Sequence, residues 1–499
     1  MDGGPLRCPA WRADRWHGAG TTNRAGAVGM PMRTGKAALP RRGKLCRAFV
    51  SGIRVRLVEV LPLSRVSRLY GPVYAAIVAL GRFSGHEVDR FHRRERSHPM
   101  PTDSASHRPA VASSRGDARA TAGLRIDVIK WRDAFDALAP AWTALHARSR
   151  ATVYADHGFL SAWLESYGRD AALRVVTAHR DGRLVGALPL MAGPARALLP
   201  LGEGRLGFAG LLLPPLTPGT HPEERPEAVL AALLRGFGRG RYLRLDPVER
   251  ADADMIARAA RDAGLALQRR EVIQGDSVAL TGGIEAYLAT RSKSQRRLIR
   301  RAEKAHEAPG FAWTETADDP EGALEGYLAV ARTSWKAAAG TGFGADAAGA
   351  AFLRGLAHRL GPDRARFGAL HDGQTPVCGY FALRDGDTWL AVSHEFNETY
   401  AKSSPGRLAL HRVSVAAAAA GMSRVDFMRT SKLNQELATD SRPLDRVILH
   451  RRFDPAAVLG WESARALRGL RRRLRRWSGA KPGPRAAAQA KSATDTPRP

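Results

Sequence analysis

The stretch "YAKSSPGRLALHR", Tyr400 to Arg412, places small polar residues and a glycine where an alternating segment, "DTWLAVSHEFN", gives way to a helical one, "LALHRVSVAAAAAGM". A strand that enters a helix through such a turn presents unpaired backbone N–H groups at the positive end of the helix dipole, chemistry that suits a phosphate or pyrophosphate. Gly406 lets a ligand approach the backbone, and Pro405 presets one dihedral while removing one donor. Ser403 and Ser404 either cap the helix or bond a phosphate, and Arg407 is placed to pair with one. A plain capped helix start accounts for the same residues. Between 291 and 304 a second group stands out: Arg296, Arg297, Arg300 and Arg301 form one helical face, a phosphate-binding surface or a solvated one. Walker loops, G-x-S-x-G elbows, H-E-x-x-H motifs and a Rossmann fingerprint are absent from the chain. "GRGRYLRLD" at 238–246 reads as a loop between a helix and a strand.

These residues require a mixed α/β framework to hold them. From Leu124 the pattern predicts a strand (124–130), a helix (about 133–148), a second helix around "HGFLSAWLESYG", and two strands joined at Asp181-Gly182, a strong hairpin signal. The order recurs later, with a helix in "GALEGYLAVARTSW" and a hairpin in "ARFGALHDGQTPVCGYFAL". Gly186 and Gly379 lie 193 residues apart, and Gly182 and Gly373 lie 191 apart, so an internal duplication is expected, with its joint near 274–283. Two unrelated hairpins sharing a common turn are the alternative.

The net charge of +30 over 499 residues suggests nucleic acid until it is divided. Residues 1–120 hold 22 Lys/Arg against 8 Asp/Glu and 451–499 hold 13 against 3, leaving 43 against 37 between them. The expected organisation is therefore a basic, mostly disordered extension (1–120), with Met100 as an alternative translation start, then two halves at 121–280 and 281–455. A basic amphipathic helix (456–480) and a disordered tail (481–499) follow. In that helix Leu467, Leu470, Leu474 and Trp477 follow 3-4-3 spacing, the pattern of a segment lying on anionic lipid or of a short dimerising helix. Of Cys8, Cys46 and Cys378 only the last lies between the ends, which leaves neither a disulfide framework nor a thiolate zinc site there. The run "GPVYAAIVAL" is too short to span a bilayer, and no export signal is legible at the N-terminus. A cytoplasmic location, or one on the inner face of the membrane through 461–477, is expected.

The order "DG…PVCGYFAL…Y…SSPGRLALHRVSVAAAAAGMSRVDFM" resembles the CelD-like, cellulose-biosynthesis-associated branch of the GNAT acyltransferases. Tyr400, Ser404-Pro405-Gly406, Gly421 and Asp426-Phe427 carry the resemblance; "SKSQRRLIRRAEK" and "DGRLVGALPL" extend it over about 124 to 452. It implies a tandem pair of GNAT-like folds, laid out like the FemABX transferases, and an acyl-CoA such as acetyl-CoA as donor, with no metal. Ser403, Ser404, Gly406, Arg407 and Leu408 would then line the donor site. Two departures from the family pattern are Leu408, where a small residue is common, and "MRTSKLNQELATDSRPL" after Asp426-Phe427.

Acyl transfer requires a base for the acceptor's proton and an acid for the leaving thiolate. Glu395 is the expected base and Tyr400 the expected acid; His394 competes with Glu395, because neighbours on a strand face opposite ways unless it bulges. Asp426, Arg297 and Arg301 are the candidate acceptor-binding residues. The acceptor would be an amine or hydroxyl of a sugar, an envelope or polysaccharide precursor, or a small metabolite. Two other readings are an aminoacyl-tRNA-dependent transferase, with the basic helix on RNA, and a non-catalytic adaptor in a polysaccharide-synthesis complex.

Overall fold

A computed structural model describes residues 123–466 apart from 206, 209, 219, 239 and 465. All of them fall within one unit of the chain, Val111–Pro499. The expectations for 1–120, for Leu467 to Trp477 and for the tail lie outside the described residues. No helix among the described residues is long and apolar enough to cross a membrane.

The first half runs β1 (Arg125–Ile129), α1 (Arg132–Asp136), α2 (Ala139–Arg148), α3 (His157–Ser166), β2 (Val175–Arg180), β3 (Arg183–Leu188), β4 (Leu190–Ala192) and β5 (Ala197–Pro200). It continues through α4 (Pro226–Gly236), β6 (Tyr242–Glu249), α5 (Arg250–Asp262) and β7 (Leu265–Ala279). The second half opens with α6 (Gly283–Thr290) and α7 (Lys293–Lys304), then repeats the order with β8 (Phe311–Glu315), α8 (Pro320–Thr333), α9 (Trp335–Ala338) and α10 (Ala347–Leu360). After these come β9 (Ala365–Asp372), β10 (Thr375–Asp385), β11 (Thr388–Phe396), α11 (Pro405–Ala419), β12 (Arg424–Asp426), α12 (Lys432–Leu437) and β13 (Asp440–Arg451). The order strand, helices, antiparallel strands, helix, strand, helix, strand thus occurs twice along the chain.

Local chemistry explains most boundaries. Asp181 and Gly182 take positive φ, 50° and 78°, in the β2–β3 turn, the geometry a two-residue hairpin of this twist needs. Asp156, Asp319 and Asp346 cap α3, α8 and α10 through their carboxylates, and Ser292 with Gln295 forms a reciprocal capping box on α7. Gly421 follows α11 at φ 72°, as the left-handed end of that helix requires.

The helix expected over about 133–148 is interrupted at residues 137–138. The two glycines that mark the repeat in sequence are not equivalent in space. A Cβ on Gly186 would strike Val229 of α4, whereas one on Gly379 would lie 3.2 Å from Tyr327 of α8 and 2.7 Å from the Gly368 carbonyl. They face opposite layers, so the element order carries the duplication and those two positions do not.

Strands β1–β2–β3 form a small sheet, and the remaining ten form one large mixed sheet in the order β4-β5-β6-β13-β7-β12-β11-β10-β9-β8. The last strands of the halves are exchanged: β13 lies between β6 and β7, and β7 lies between β13 and β12. One apolar core joins the halves, packing Trp142, Tyr154 and Phe159 of the first with Tyr327, Phe352, Phe367 and Phe381 of the second. Full burial of such side chains contributes about 1.5–3 kcal/mol each.

Candidate functional site

Strands β11 and β12 are parallel, and they pair only from Thr388↔Arg424 to Leu390↔Asp426. Beyond Leu390 they diverge, because residues after Asp426 bond across to β7, Phe427 N–H to the Asp276 carbonyl and Thr430 N–H to that of Gln274. Among the described residues, the edge of β11 from Ala391 to Phe396 therefore has no strand beside it on that side. Diverging parallel strands open a crevice at their carboxyl ends, the usual position for a ligand in an α/β sheet.

A bulge sets which side chains face which layer. Phe381 opposes Ser393 while Ala382 opposes Ala391, so Val392 is the extra residue. Downstream of it His394 opposes Tyr380 and Glu395 opposes Gly379. Opposed residues share a face. Glu395 therefore points toward α8, and His394 toward the α11 layer. Burial and the neighbouring Lys336 charge push His394 down to about 3, so its ring is neutral at physiological pH.

Glu395 is 1% exposed. Its Oε1 accepts from Ser393 Oγ at 2.7 Å and lies 3.2 Å from Lys336 Nζ, which also donates to the His394 carbonyl at 2.6 Å. Its Oε2 is buried with no hydrogen-bond partner. The Tyr327 hydroxyl is buried too; burial followed by the Glu395 charge raises its pKa well above the ordinary value, opposed by a weak hydrogen bond with Ser393. Buried polar atoms are normally satisfied. The Oε2 of Glu395 is thus a buried acceptor left uncommitted.

Tyr400 lies elsewhere. Its hydroxyl donates to Asp372 at 3.1 Å and its ring packs against Phe311. Asp372 opposes Thr375 on the face that carries Leu370, Cys378 and Leu408. Glu395 and Tyr400 are thus on opposite faces of the sheet, which corrects the expectation of a working acid–base pair.

At the start of α11, Ser404 sits at φ 63° with its side chain exposed and making no capping bond. The Gly406 N–H has no backbone partner among the described residues, while those of Arg407 and Leu408 turn back to the Ser404 carbonyl. Gly406 packs under Phe396, where a Cβ would lie 3.3 Å from the ring. Three of the expected donor-site side chains are engaged otherwise. Ser403 Oγ lies 2.8 Å from the Tyr400 carbonyl and 3.1 Å from His306 Nε2, Arg407 pairs with Glu436, and Leu408 is buried.

The expected acceptor residues are also otherwise placed. Asp426 is buried, accepts from Met428 N–H at 2.6 Å and pairs with Arg442, so it holds the turn after β12. Arg297 and Arg301 are exposed on α7, which packs beside α11 in the layer opposite Glu395. Cys378 is buried, which pushes its thiol pKa up. No group of three His, Cys, Asp or Glu among the described residues is placed to hold a metal.

Sequence reasoning missed Lys336, Ser393 and Tyr327, and with them Tyr167 and Arg205 of the first half. The Arg205 guanidinium lies 4.3 Å from the Tyr167 ring and 4.9 Å from that of Phe343. None of these carries a local motif; only a bulge and a contact between halves assemble them. Two open clefts lie away from this cluster. One of about 550 Å³ borders the β2–β3 turn and one of about 340 Å³ lies around Asp156 and Arg364.

Residues 291–434 match the family model described as an acetyltransferase (GNAT) domain. The fold is similar to that of FemX (12% identity, 57% of this chain and 90% of that one, TM-score 0.40). It is also similar to a tandem GNAT protein of the clavulanic acid biosynthesis pathway (15% identity, 65% and 98%, TM-score 0.38). Among curated proteins, the mitochondrial protein fmp52-1 of Aspergillus terreus (strain NIH 2624 / FGSC A1156) is 28% identical over 195 residues, 36% of this chain and 83% of that protein. None of these matches supports the narrower resemblance to the cellulose-biosynthesis branch.

Proposed function

We propose that the second half is an acyltransferase that takes an acyl group from coenzyme A and delivers it to an amine or hydroxyl. The orphaned Oε2 of Glu395, beside the open edge of β11, carries this reading. Acyl-CoA supplies the activated thioester. The residues at the α11 start fit its pyrophosphate: Gly406 offers an unbonded N–H and Ser404 an exposed, uncommitted hydroxyl at the positive end of a helix of 15 residues.

Glu395 would take the proton from the acceptor nitrogen or oxygen as that atom bonds to the thioester carbonyl carbon. The C–S bond then breaks, and the leaving thiolate takes up the proton that Glu395 accepted, which restores the carboxylate. The Lys336 ammonium lies 3.2 Å from Glu395 Oε1. The crossing of the α8 layer and the β11 edge at Glu395 supports acceptor entry from the α8 side and donor entry along β11.

The first half is unsuited to the same donor. Its corresponding helix, α4, also begins with proline, Pro226, but Glu227 follows where Gly406 stands, and Glu223 and Glu224 precede it in a 3-10 turn. Carboxylates at the start of a helix stabilise it and repel phosphate. The acceptor-binding role then falls to the first half, and the donor role to the second.

A thermal-shift series with acetyl-CoA, free CoA and longer acyl-CoAs tests the donor site. The wild-type protein is expected to be stabilised, and Ser404→Asp to lose that response while keeping its own melting temperature, since Asp caps helices well and tolerates positive φ. No shift with any CoA species on the wild-type protein would sink the reading.

A further inference from the structure

The chain leaves β13 at Arg451 and turns through Arg452 and Phe453 into a helix over 455–464. Asp454 fixes that turn: its carboxylate accepts from the Gly240 N–H at 2.6 Å and from the Ala457 N–H at 3.1 Å. The inner face of the helix is seated tightly. Ala457 and Gly460 are buried, the Trp461 ring meets that of Tyr242 edge-on with centroids 5.6 Å apart, and a Cβ on Gly460 would lie 2.6 Å from the Ala195 carbonyl. A helix wedged in this way cannot roll to hide its outer face.

That outer face is apolar. Phe453 is 99% exposed, Leu459 55% and Val458 41%. Phe453 and Val458 occupy the two positions around a helix start whose apolar side chains ordinarily pack on each other, yet at that exposure the phenyl ring covers nothing. Phe453 also takes φ 58°, a left-handed backbone that disfavours a bulky side chain. Nothing among the described residues offsets that strain.

The surroundings are basic. The β13–β6 ladder ends at His450↔Tyr242, so the turn that carries Arg452 and Phe453 lies next to Gly240 and Arg241. Arg196 reaches the same place, its guanidinium 3.5 Å from the Gly240 carbonyl. Neither Arg241 nor Arg452 has an ion pair among the described residues. Asp454 is committed to the turn, and Glu462, the exposed acid of the helix, is itself engaged. In the sequence that follows, seven arginines and no acid occupy 465–477, and Leu470 and Trp477 stand 11 and 18 residues after Leu459, multiples of the helical period.

Exposed rings and aliphatic chains bordered by unpaired guanidinium groups match the surface of a bilayer with anionic headgroups. The apolar groups enter the boundary between headgroups and acyl chains, and the arginines meet phosphates. We propose that the surface around 452–459 docks the protein on an anionic lipid bilayer, with Phe453 and Leu459 inserted and Arg452, Arg241 and Arg196 on lipid phosphates. This docking does not depend on the acyltransferase reading.

Co-sedimentation of the full-length protein tests it, with vesicles of phosphatidylglycerol and phosphatidylcholine in equal parts set against vesicles of phosphatidylcholine alone. Binding to the neutral vesicles is expected to be about tenfold or more weaker, and binding to the anionic ones to fall as NaCl rises from about 0.1 to about 0.5 M. Phe453→Asn is expected to weaken the anionic partition about tenfold and, because Asn accepts positive φ, to keep or raise the melting temperature. Leu459→Gln acts in the same direction, and Arg452→Gln weakens the partition about fivefold.

No binding of the wild-type protein to anionic vesicles, or equal binding to both kinds, overturns the proposal. An undiminished partition in Phe453→Asn and Leu459→Gln also overturns it, since the arginine run of 465–477 would then hold the vesicles alone. So does a dimer in gel filtration that Phe453→Asn converts to a monomer while vesicles are ignored, which assigns the face to a second copy. Phe453-dependent binding of a mixed RNA in place of vesicles assigns it to nucleic acid, with the same consequence. The acetyl-CoA thermal shift of these variants is expected to match that of the wild-type protein, so the donor-site reading stands or falls separately.

Discussion

Replacing Glu395 by Gln preserves its shape and its bond to Ser393 but removes both the base and the counterion of Lys336. The turnover number is expected to fall about 10²–10⁴-fold, with the acetyl-CoA thermal shift unchanged. Stability should fall as well, because an ammonium with 24% of its side chain exposed loses its buried partner. Adding Lys336→Met is expected to restore the melting temperature without restoring turnover, which separates the chemical role from the structural one. At this scale the sequence was informative about residue types and silent about direction. His394 and Glu395 are adjacent, and only the Val392 bulge and the pairing with β10 decide that Glu395 faces α8. Tyr400 carries the right functional group on the wrong face, and nothing in its neighbours' identities announces Asp372 as its partner.

Elements were the most legible level, because their signals are local. The Asp181-Gly182 turn, the Ser292–Gln295 capping box and Pro405 at the start of α11 are properties of a few adjacent residues. The β11–β12 divergence is not of that kind: it depends on β12 stopping after three residues and its continuation bonding to β7, about 150 residues upstream. The same limit applied to the basic face of α7, whose spacing was evident but whose layer was not. Gly379 shows what close packing demands of a strand. Gly379→Ala puts a methyl 2.7 Å from the Gly368 carbonyl and 3.2 Å from Tyr327, so β9 and β10 must shift. A loss of about 1–3 kcal/mol is expected, measured by denaturant unfolding.

For the whole molecule, the duplication was legible as recurring order, while the exchange of β7 and β13 was invisible because it links strands by pairing and not by pattern. β13 pairs with β7 along its 12 residues and with β6 from Leu444 to His450. Ending the chain after Ala438 leaves both neighbouring edges open, and exposed strand edges associate. Such a truncated protein is expected to be insoluble or to elute as large aggregates in gel filtration. A soluble monomer would show that the first half closes without β13. The full-length protein is expected to unfold in one cooperative calorimetric transition over the described region, since neither half owns a complete sheet.

The exchange also sets a clock on biosynthesis. The first half is finished on the ribosome when β7 emerges, yet the strand that seals it is the last of the second half, ending at Arg451. At ordinary translation rates the intervening segment takes on the order of ten to thirty seconds to make. Throughout that interval the β6 edge that β13 later covers is open. The nascent chain therefore depends on whatever holds open strands in solution during synthesis, and a pause introduced between β7 and β13 would lengthen its most vulnerable state without altering a single residue of the finished protein.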